Sequence, residues 1–436
     1  MNFILDIPIE VRLALLFLLG AAWGGQLNRA IYRLAWNRRP IGPWSPPLAD
    51  VPARRGTDYW PIVGWWGLRR ETPWHGRGYW LRPLLVEVGM GMGVCALYWL
   101  EVDQLILWPS IAAIESPDPA AVHAQYFSHV ILISLMVVAT FIDFDEQMIP
   151  DEITVNGTVV ALLVAIALPT SLLPTHCVSA SNTVEFAHLV LTSSTVSPEW
   201  SGGLGGPGSW PSWLSGPAGL GVGVLGILAW SFAIMHKTWT VRHGVVKAVQ
   251  YMVASLRRHG TWRLPCGCAL VLSAATLATW WWGLTTGNEL RWQSLLTAIV
   301  GMCFGGGLIW AVRIIGGHAL RVEAMGFGDV TLMAMIGAFL GWQPAFLIFF
   351  LAPLTAVVVA LAQRLLTGDR RIAFGPYLCL ATVIVLLGWD SIWTHWARPM
   401  FSLGWFIPGV LACCLVLMGG LLWIWRLFRD AVFGLA

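Results

Sequence analysis

Long apolar runs separated by short polar segments recur along the whole chain. Eleven of these runs are about 20 residues long, enough for a helix to cross roughly 30 Å of hydrocarbon. They cover residues 11–31, 84–102, 125–142, 153–173, 217–236, 265–284, 293–314, 330–346, 348–366, 374–390 and 406–426. The ninth run follows the eighth at Gln343–Pro344. The pattern predicts an all-α, polytopic membrane helix bundle of about eleven transmembrane spans.

Composition supports a membrane as the solvent of this chain. Of its 436 residues, 57% are hydrophobic and only 11% are charged. The first run starts after Asp6 and Glu10 and has no basic segment or small-residue cleavage site, so we expect a retained span rather than a signal peptide. The chain has no phosphate-cradling glycine loop, which argues against a nucleotide-driven pump.

The Lys and Arg residues indicate how the bundle is oriented. With the N-terminus outside, eleven spans place 23 of the 26 basic residues in cytoplasmic segments and leave Arg12, Arg291 and Arg398 outside. Cytoplasmic loops are enriched in Lys and Arg, so we expect an outer N-terminus and a cytoplasmic C-terminus.

Two segments between the spans have distinct compositions. Residues 174–216 are rich in Ser, Gly and Pro without any Lys or Arg, which predicts a flexible outer loop. The basic segment from Lys237 to Arg263 is expected inside. It has apolar residues at helical spacing, which predicts an amphipathic surface helix, and we interpret its charge as a topological signal rather than a binding patch. The helix would use Val245, Val249, Met252 and Leu256 beside Lys247, Arg257 and Arg258.

Two acidic motifs lie at span ends. Residues 141–151 read Phe-Ile-Asp-Phe-Asp-Glu-Gln-Met-Ile-Pro-Asp, and residues 326–329 read Gly-Phe-Gly-Asp. Although 186 residues separate Asp143 from Asp329, four predicted spans lie between them, and an even number of crossings returns the chain to the same side. Both acids should therefore face the cytoplasm.

Two carboxylates held close together share one proton, which is the apparatus of an aspartic protease. Gly326 and Gly328 lack a Cβ and would let backbone approach an extended substrate. From spacing alone an equal alternative is that Asp329 caps a helix and Asp143 is an ordinary interfacial acid.

Five elements in order along the chain resemble the prepilin leader peptidases, which process type IV pilins and type II secretion pseudopilins. The two acidic motifs carry the resemblance, and segments Gly25–Leu34, Arg82–Glu87 and Phe374–Pro376 extend it. The resemblance implies that Asp143 and Asp329 are catalytic and cut the leader of a prepilin or pseudopilin precursor at the cytoplasmic face of the bacterial inner membrane. It implies no nucleic-acid partner.

The resemblance also leaves alternatives and supporting residues. Asp145 would fit the catalytic position only if the register slipped by two, and Asp151 follows Pro150, where it suits a helix cap. Asn28, Arg33 and Glu87 match family positions, with loop structure and orientation as the simpler interpretation.

The chain also departs from the family pattern. The first loop lacks the paired cysteines of many members, so no metal is expected, and packing of tryptophans would hold that loop instead. Those tryptophans are Trp60, Trp65, Trp66 and Trp80. Proteolysis needs no cofactor, and S-adenosylmethionine would be needed only if the family's N-methyltransferase activity is retained. Thr331 stands where the family has a lysine.

We expect five parts along the chain. They are 1–104 with two spans and the basic loop, 105–173 with the first motif, 174–292 as an atypical insertion, 293–390 as the peptidase core and 391–436 as a C-terminal span. The rival functions are an ion or proton-coupled transporter and a presenilin-like intramembrane peptidase. Mid-span acids or inverted repeats would favour the transporter, and neither is visible.

Overall fold

The protein folds as a bundle of α-helices, which confirms the predicted class. The computed structural model describes residues 7–39, 41–45, 53–109, 117–178, 184–192, 210–235, 246–247, 250–251, 254, 258, 262–321, 325–366, 373–401 and 406–433. The amphipathic helix predicted between Lys237 and Arg263 falls largely outside these residues.

The helices follow the apolar runs. In chain order they are α1 (Ile9–Leu34), α2 (Val63–Leu68), α3 (Thr72–His75), α4 (Leu81–Tyr98, continued as a π-helix over Trp99–Asp103), α5 (Pro119–Glu146), α6 (Asp151–Ala167), α7 (Ser212–Ser215), α8 (Pro217–Ile234), α9 (Arg263–Thr286), α10 (Leu290–Leu320), α11 (Phe327–Leu340), α12 (Trp342–Leu366), α13 (Gly375–Leu387), α14 (Trp389–Ile392), α15 (Arg398–Phe401) and α16 (Phe406–Phe433).

Fewer helices than predicted are long enough to cross a membrane alone. In the described part of the chain eight helices satisfy length and hydropathy, or nine if the segments 375–387 and 389–401, bent by 84°, form one span. The other predicted spans fall on α6, α11 and α13, with 17, 14 and 13 residues. At 1.5 Å per residue these helices measure only about 20–25 Å.

One predicted boundary was wrong. The break between the eighth and ninth runs lies at Gly341 and not at Gln343–Pro344. Gly341 has φ of 92°, a left-handed conformation that ends α11. Pro344 lies in the first turn of α12, where a missing N–H does not break a helix.

Helix α11 forms the centre of the bundle. Every residue from Asp329 to Leu340 is buried. Its Gly337 faces Gly301 of α10 so closely that a Cβ on either residue would overlap the other's carbonyl oxygen. Small residues of this kind allow helices in a membrane to approach closely. Because protein surrounds α11, its short length does not expose its ends to lipid.

Buried carboxylates hold the segment between α1 and α4, which corrects the tryptophan-packing prediction. Asp58 and Glu71 are both 1% exposed; Arg70 binds Asp58, and Arg54 lies 3.6 Å from Glu71. Of the four tryptophans Trp65 is 2% exposed, but Trp60 and Trp66 are 67% and 54% exposed. The reason is electrostatic, because a buried acid must be paired and so fixes its neighbours.

Part of the predicted outer loop is a β-hairpin. Strands β1 (Pro174–Val178) and β2 (Val184–His188) pair antiparallel, with Pro174 opposite His188. The bundle holds the hairpin through indole donors, since Trp389 Nε1 donates to the Pro174 carbonyl at 2.8 Å and Trp393 Nε1 donates to Thr175 Oγ1 at 3.0 Å. Residues 179–183 and 193–209 lie outside the described part.

Candidate active site

Asp143 lies in the last turn of α5, and its side chain points into protein. The residue is 5% exposed, and its Oδ2 accepts a hydrogen bond of 3.1 Å from the backbone amide of Gly375. Gly375 is the first residue of α13, so this amide belongs to the positive end of a helix. A Cβ at position 375 would lie 2.7 Å from the same carboxylate oxygen. The contact therefore requires glycine.

Asp329 lies in the first turn of α11 and is 8% exposed. Its Oδ2 lies 3.8 Å from the position that a Cβ on Gly326 would occupy, and the carboxylate is close enough to Asp143 for electrostatic coupling. The structure thus brings together the two acids that the sequence placed 186 residues apart.

Gly328 joins the second motif to the first. A Cβ on Gly328 would lie 2.9 Å from the Cβ of Ile149. The position therefore needs glycine for contact between the two motifs, which sequence reasoning had not considered. Gly326 has more space, with Asp329 Oδ2 3.8 Å from its would-be Cβ.

The remaining acids of the first motif are not part of this pair. Asp145 accepts from Arg82 at 2.7 and 2.8 Å, and Glu146 accepts from the backbone amides of Trp36 and Asn37 at 2.6 and 2.8 Å. Asp151 is the first residue of α6 and not its cap, because Pro150 occupies the cap position. Asp145 and Glu146 therefore attach the end of α5 to neighbouring segments, whereas Asp143 lies on the side of Asp329.

Thr331, which stands at the family's lysine position, is buried. Its hydroxyl accepts a hydrogen bond of 2.8 Å from Thr154 Oγ1 and donates at 3.0 Å to the Gly328 carbonyl. The side chain therefore links α11 to α6 at this position.

Asn28, Arg33 and Glu87 line a cavity of about 1140 Å³, here called the loop cavity. Neither aspartate of the pair lines it. Both oxygens of Glu87 accept hydrogen bonds, from the Ile62 amide at 2.6 Å and from Trp65 Nε1 at 2.7 Å. Glu87 thus fixes the loop that covers the cavity. The lining also includes the cations Arg29, Arg38 and Arg39 and the rings of Tyr32, Trp44, Tyr59 and Trp60.

The loop cavity, at about 1140 Å³, is larger than S-adenosylmethionine needs, and its side chains are of types that suit parts of that molecule. Ligand pockets for molecules of that size have volumes of about 300–1,000 Å³. Aromatic rings suit a purine and a sulfonium cation, and guanidinium groups suit a carboxylate. Within the described ranges no cluster of three or more His, Cys, Asp or Glu side chains has the arrangement of a metal site.

Sequence reasoning missed two contributors to the site. The Gly375 amide was visible only as part of a motif resembling the family, with no role attached. Arg82 was likewise part of a matching segment, and its partner Asp145 was considered only as a rival acid. A basic residue and an acid 63 positions apart give no local signal of pairing.

Comparison with known proteins supports the second motif. Residues 269–361 match the family model of the type IV leader peptidase family. The matched segment contains Asp329 and begins after Asp143. No solved structure matches the chain.

Several curated relatives are similar over part of their length. The chain is 36% identical over 133 residues to a prepilin leader peptidase/N-methyltransferase of Aeromonas hydrophila, covering 29% of this chain and 44% of that protein. It is 35% identical over 122 residues to the Escherichia coli (strain K12) protein of the same name, covering 27% of this chain and 53% of that protein. It is 27% identical over 172 residues to the protein of the same name from Neisseria gonorrhoeae, covering 39% of this chain and 56% of that protein. The chain spans about half the length of the curated relatives it matches. The resemblance to the prepilin leader peptidase family is thereby confirmed.

Proposed function

We propose that this chain is a membrane aspartic endopeptidase that removes the leader peptide of type IV prepilins or pseudopilins at the cytoplasmic face of the bacterial inner membrane. The observation that carries the proposal is the proximity of Asp143 and Asp329, two buried acids from distant motifs that lie close enough for electrostatic coupling. The names of the relatives support the substrate class. Acids at helix ends favour this function over an ion transporter, and the relatives favour it over a presenilin-like peptidase.

The chemistry follows from one proton shared by two carboxylates. The ionised acid removes a proton from water, and the resulting hydroxide attacks the scissile carbonyl carbon. The protonated acid donates a hydrogen bond to the carbonyl oxygen. Its proton then passes to the leaving amine as the C–N bond breaks. Water is consumed, and the new carboxyl and amino termini are the products.

The proposal includes the eleven-span topology, with the N-terminus outside and the C-terminus in the cytoplasm. Apart from the four-residue α7, four helices lie between the two motifs in the described chain, α6, α8, α9 and α10, and this even number supports placing both acids at one face. The five-part division of the chain, with 174–292 as an insertion, belongs to the same proposal. The substrate would be a single-span precursor with a short basic leader that enters from the lipid.

Purified protein in vesicles tests this function. Incubation with a prepilin precursor should yield one cut at the leader junction, identified by the masses of both products. Cleavage at many sites, or no cleavage of several prepilins and pseudopilins, would contradict the proposal.

A second candidate function is methylation of the new N-terminus, favoured by the loop cavity. When bound, S-adenosylmethionine supplies a methyl group from its sulfonium centre. Asn28, Arg33 and the aromatic lining would hold it, and Glu87 would keep the loop in place. Equilibrium dialysis with labelled S-adenosylmethionine tests this without any turnover. Arg33→Gln should weaken binding about tenfold, the effect of one lost charge-assisted hydrogen bond, whereas no binding to the unaltered chain excludes methylation.

A further inference from the structure

Arg82 forms three hydrogen bonds with the last turn of α5. Its Nη1 donates to both carboxylate oxygens of Asp145 at 2.8 and 2.7 Å, and its Nη2 donates to the Phe141 carbonyl at 3.1 Å. The guanidinium carbon also lies 4.7 Å from the centre of the Phe141 ring. These partners are the residues two before and two after Asp143. Arg82 therefore contacts the helix on both sides of Asp143 along the chain.

Arg313 holds the second motif in a similar way. Its Nε donates to the Met325 carbonyl at 3.0 Å, and its guanidinium carbon lies 5.6 Å from the centre of the Phe327 ring. Met325 and Phe327 flank Gly326, which lies beside the Asp329 carboxylate. Each motif is thus held by one arginine that combines a carbonyl hydrogen bond with a stacked aromatic ring.

Glu146 adds a further attachment for the first motif. It binds two backbone amides directly after α1 ends, at Trp36 and Asn37. The last turn of α5 is therefore fastened to α4 through Arg82 and to the end of α1 through Glu146. Both attachments lie within three residues of Asp143.

These contacts contribute more to position than to stability. The side chains of Arg82 and Asp145 are 31% and 28% exposed, and ion pairs of that exposure stabilise a protein only weakly. A displacement of about 1 Å at a reacting group, by contrast, can reduce the rate about 100-fold. The planar fork of arginine fixes orientation in a way that lysine cannot.

We propose that Arg82 and Arg313 are positioning residues that hold Asp143 and Asp329 face to face, with Asp145 and Glu146 as anchors. The inference rests on the proposed peptidase function. It assigns the extra acids of the first motif a mechanical role.

Arg82→Met and Arg313→Met test the proposal against Arg69→Met as a matched control. Arg69 also lies over an aromatic ring, 4.6 Å from the centre of Trp66, and within the described part of the chain it forms no hydrogen bond or ion pair with either motif. Cleavage per folded molecule should fall 10- to 100-fold in the two test variants and stay unchanged in the control. Arg82→Lys should restore part of the activity. The pH profile of cleavage should also shift in the two test variants. A loss of abundance alone would leave that profile unchanged.

Hydrogen exchange gives a readout that does not depend on catalysis. Arg82→Met should speed amide exchange in residues 143–149, and Arg69→Met should not. Normal cleavage and normal exchange in Arg82→Met would refute the positioning role. If the unaltered chain cleaves no precursor while Arg82→Met still loosens residues 143–149, the peptidase proposal fails and the structural attachment stands.

Discussion

Asp143 and Asp145 lie two residues apart in one motif, yet their surroundings are opposite. Asp143 is buried and faces Gly375 and Asp329, whereas Asp145 is partly exposed and paired with Arg82. A helix turns about 200° over two residues, so these side chains must point in different directions. The fold thus separates a candidate reacting acid from an anchoring acid.

Asp143→Asn should abolish cleavage, whereas Asp145→Asn should retain it. The amide at 143 cannot exchange a proton with Asp329, but the amide oxygen at 145 can still accept a hydrogen bond from Arg82. Precursor processing in cells, normalised to the amount of each variant in the membrane, measures both effects. Processing by Asp143→Asn but not by Asp145→Asn would mean that the motif was read in the wrong register.

Gly375→Ala should reduce cleavage about 100-fold at nearly normal abundance. The new Cβ would lie 2.7 Å from Asp143 Oδ2, so the carboxylate or the start of α13 must move. Steady-state cleavage rates in vesicles measure the loss. Gly307→Ala is the matched control, because a Cβ there meets no atom within 4 Å. Equal rates for the two variants would show that the Gly375 contact is unimportant.

At the scale of residues, the sequence pattern drew attention to Asp143 and Asp329 but not to the groups that contact their motifs. Asp143 and Asp329 stand out because a charged side chain at the end of a span is costly. The even number of predicted spans between them also places both acids at the same face of the membrane. The Gly375 amide and the Arg82 fork come from elements 232 and 63 positions from their partners, and only the folded chain brings them close.

The segment between α1 and α4 is a small structural unit built on buried acids. The Arg70 guanidinium, which donates to Asp58, holds the pKa of Asp58 below its ordinary value. A carboxyl with a lowered pKa stabilises the fold above its unfolded-state pKa, and that contribution is lost as pH falls through the lowered value. The segment should therefore be fully stabilised at neutral pH.

Asp58→Asn should loosen this segment at pH 7. Losing a charge-assisted hydrogen bond costs about 1.5–3 kcal/mol, and the 26% exposure of the Arg70 side chain places this loss at the low end of that range. Hydrogen exchange over residues 56–75 measures the change. In the unaltered chain exchange protection should fall as the pH drops below about 4, and Asp58→Asn should lack that component.

Two controls isolate the effect of Asp58. Asp103→Asn removes an exposed carboxylate and should leave residues 56–75 protected. Strong zinc chelation should also leave exchange protection and cleavage unchanged, because the ion pairs of Asp58 and Glu71 stabilise the segment between α1 and α4. Loss of protection and activity on chelation would contradict this account.

At the scale of elements, the apolar runs predicted where helices occur better than where they end. The boundary at Gly341 depends on one left-handed residue, whereas hydropathy drew attention to Pro344. Strands β1 and β2 lie in a segment whose composition predicted a flexible loop, yet they pair with each other and accept hydrogen bonds from the indoles of Trp389 and Trp393. Such long-range partners leave no periodic signal.

For the whole molecule, the topology decides whether the two acids can meet in a membrane. Eight or nine of the described helices have the length to span alone. The count of eleven also needs the short helices α6, α11 and α13, of which α11 is buried from Asp329 to Leu340. Hydropathy averaged over a window cannot tell a short buried helix from a full span.

Thiol labelling measures the crossings. In a chain freed of its native cysteines, Asn288→Cys should react with an impermeant reagent from outside in intact cells, and Arg77→Cys should react only after the membrane is opened. Five predicted spans separate these positions, so they must lie on opposite sides. Labelling of both from outside would mean that one helix, such as the 17-residue α6, does not cross.

The most direct test of the paired-aspartate account is a double-mutant cycle at the pair itself. Cleavage of a prepilin precursor in vesicles is measured for Asp143→Asn, Asp329→Asn and the double variant. Groups that act as a unit are strongly non-additive, so each single substitution should remove nearly all the activity and the double should lose little more. Two partial losses that simply multiply in the double variant, or activity that persists in it, would mean that Asp143 and Asp329 do not act together on the scissile bond.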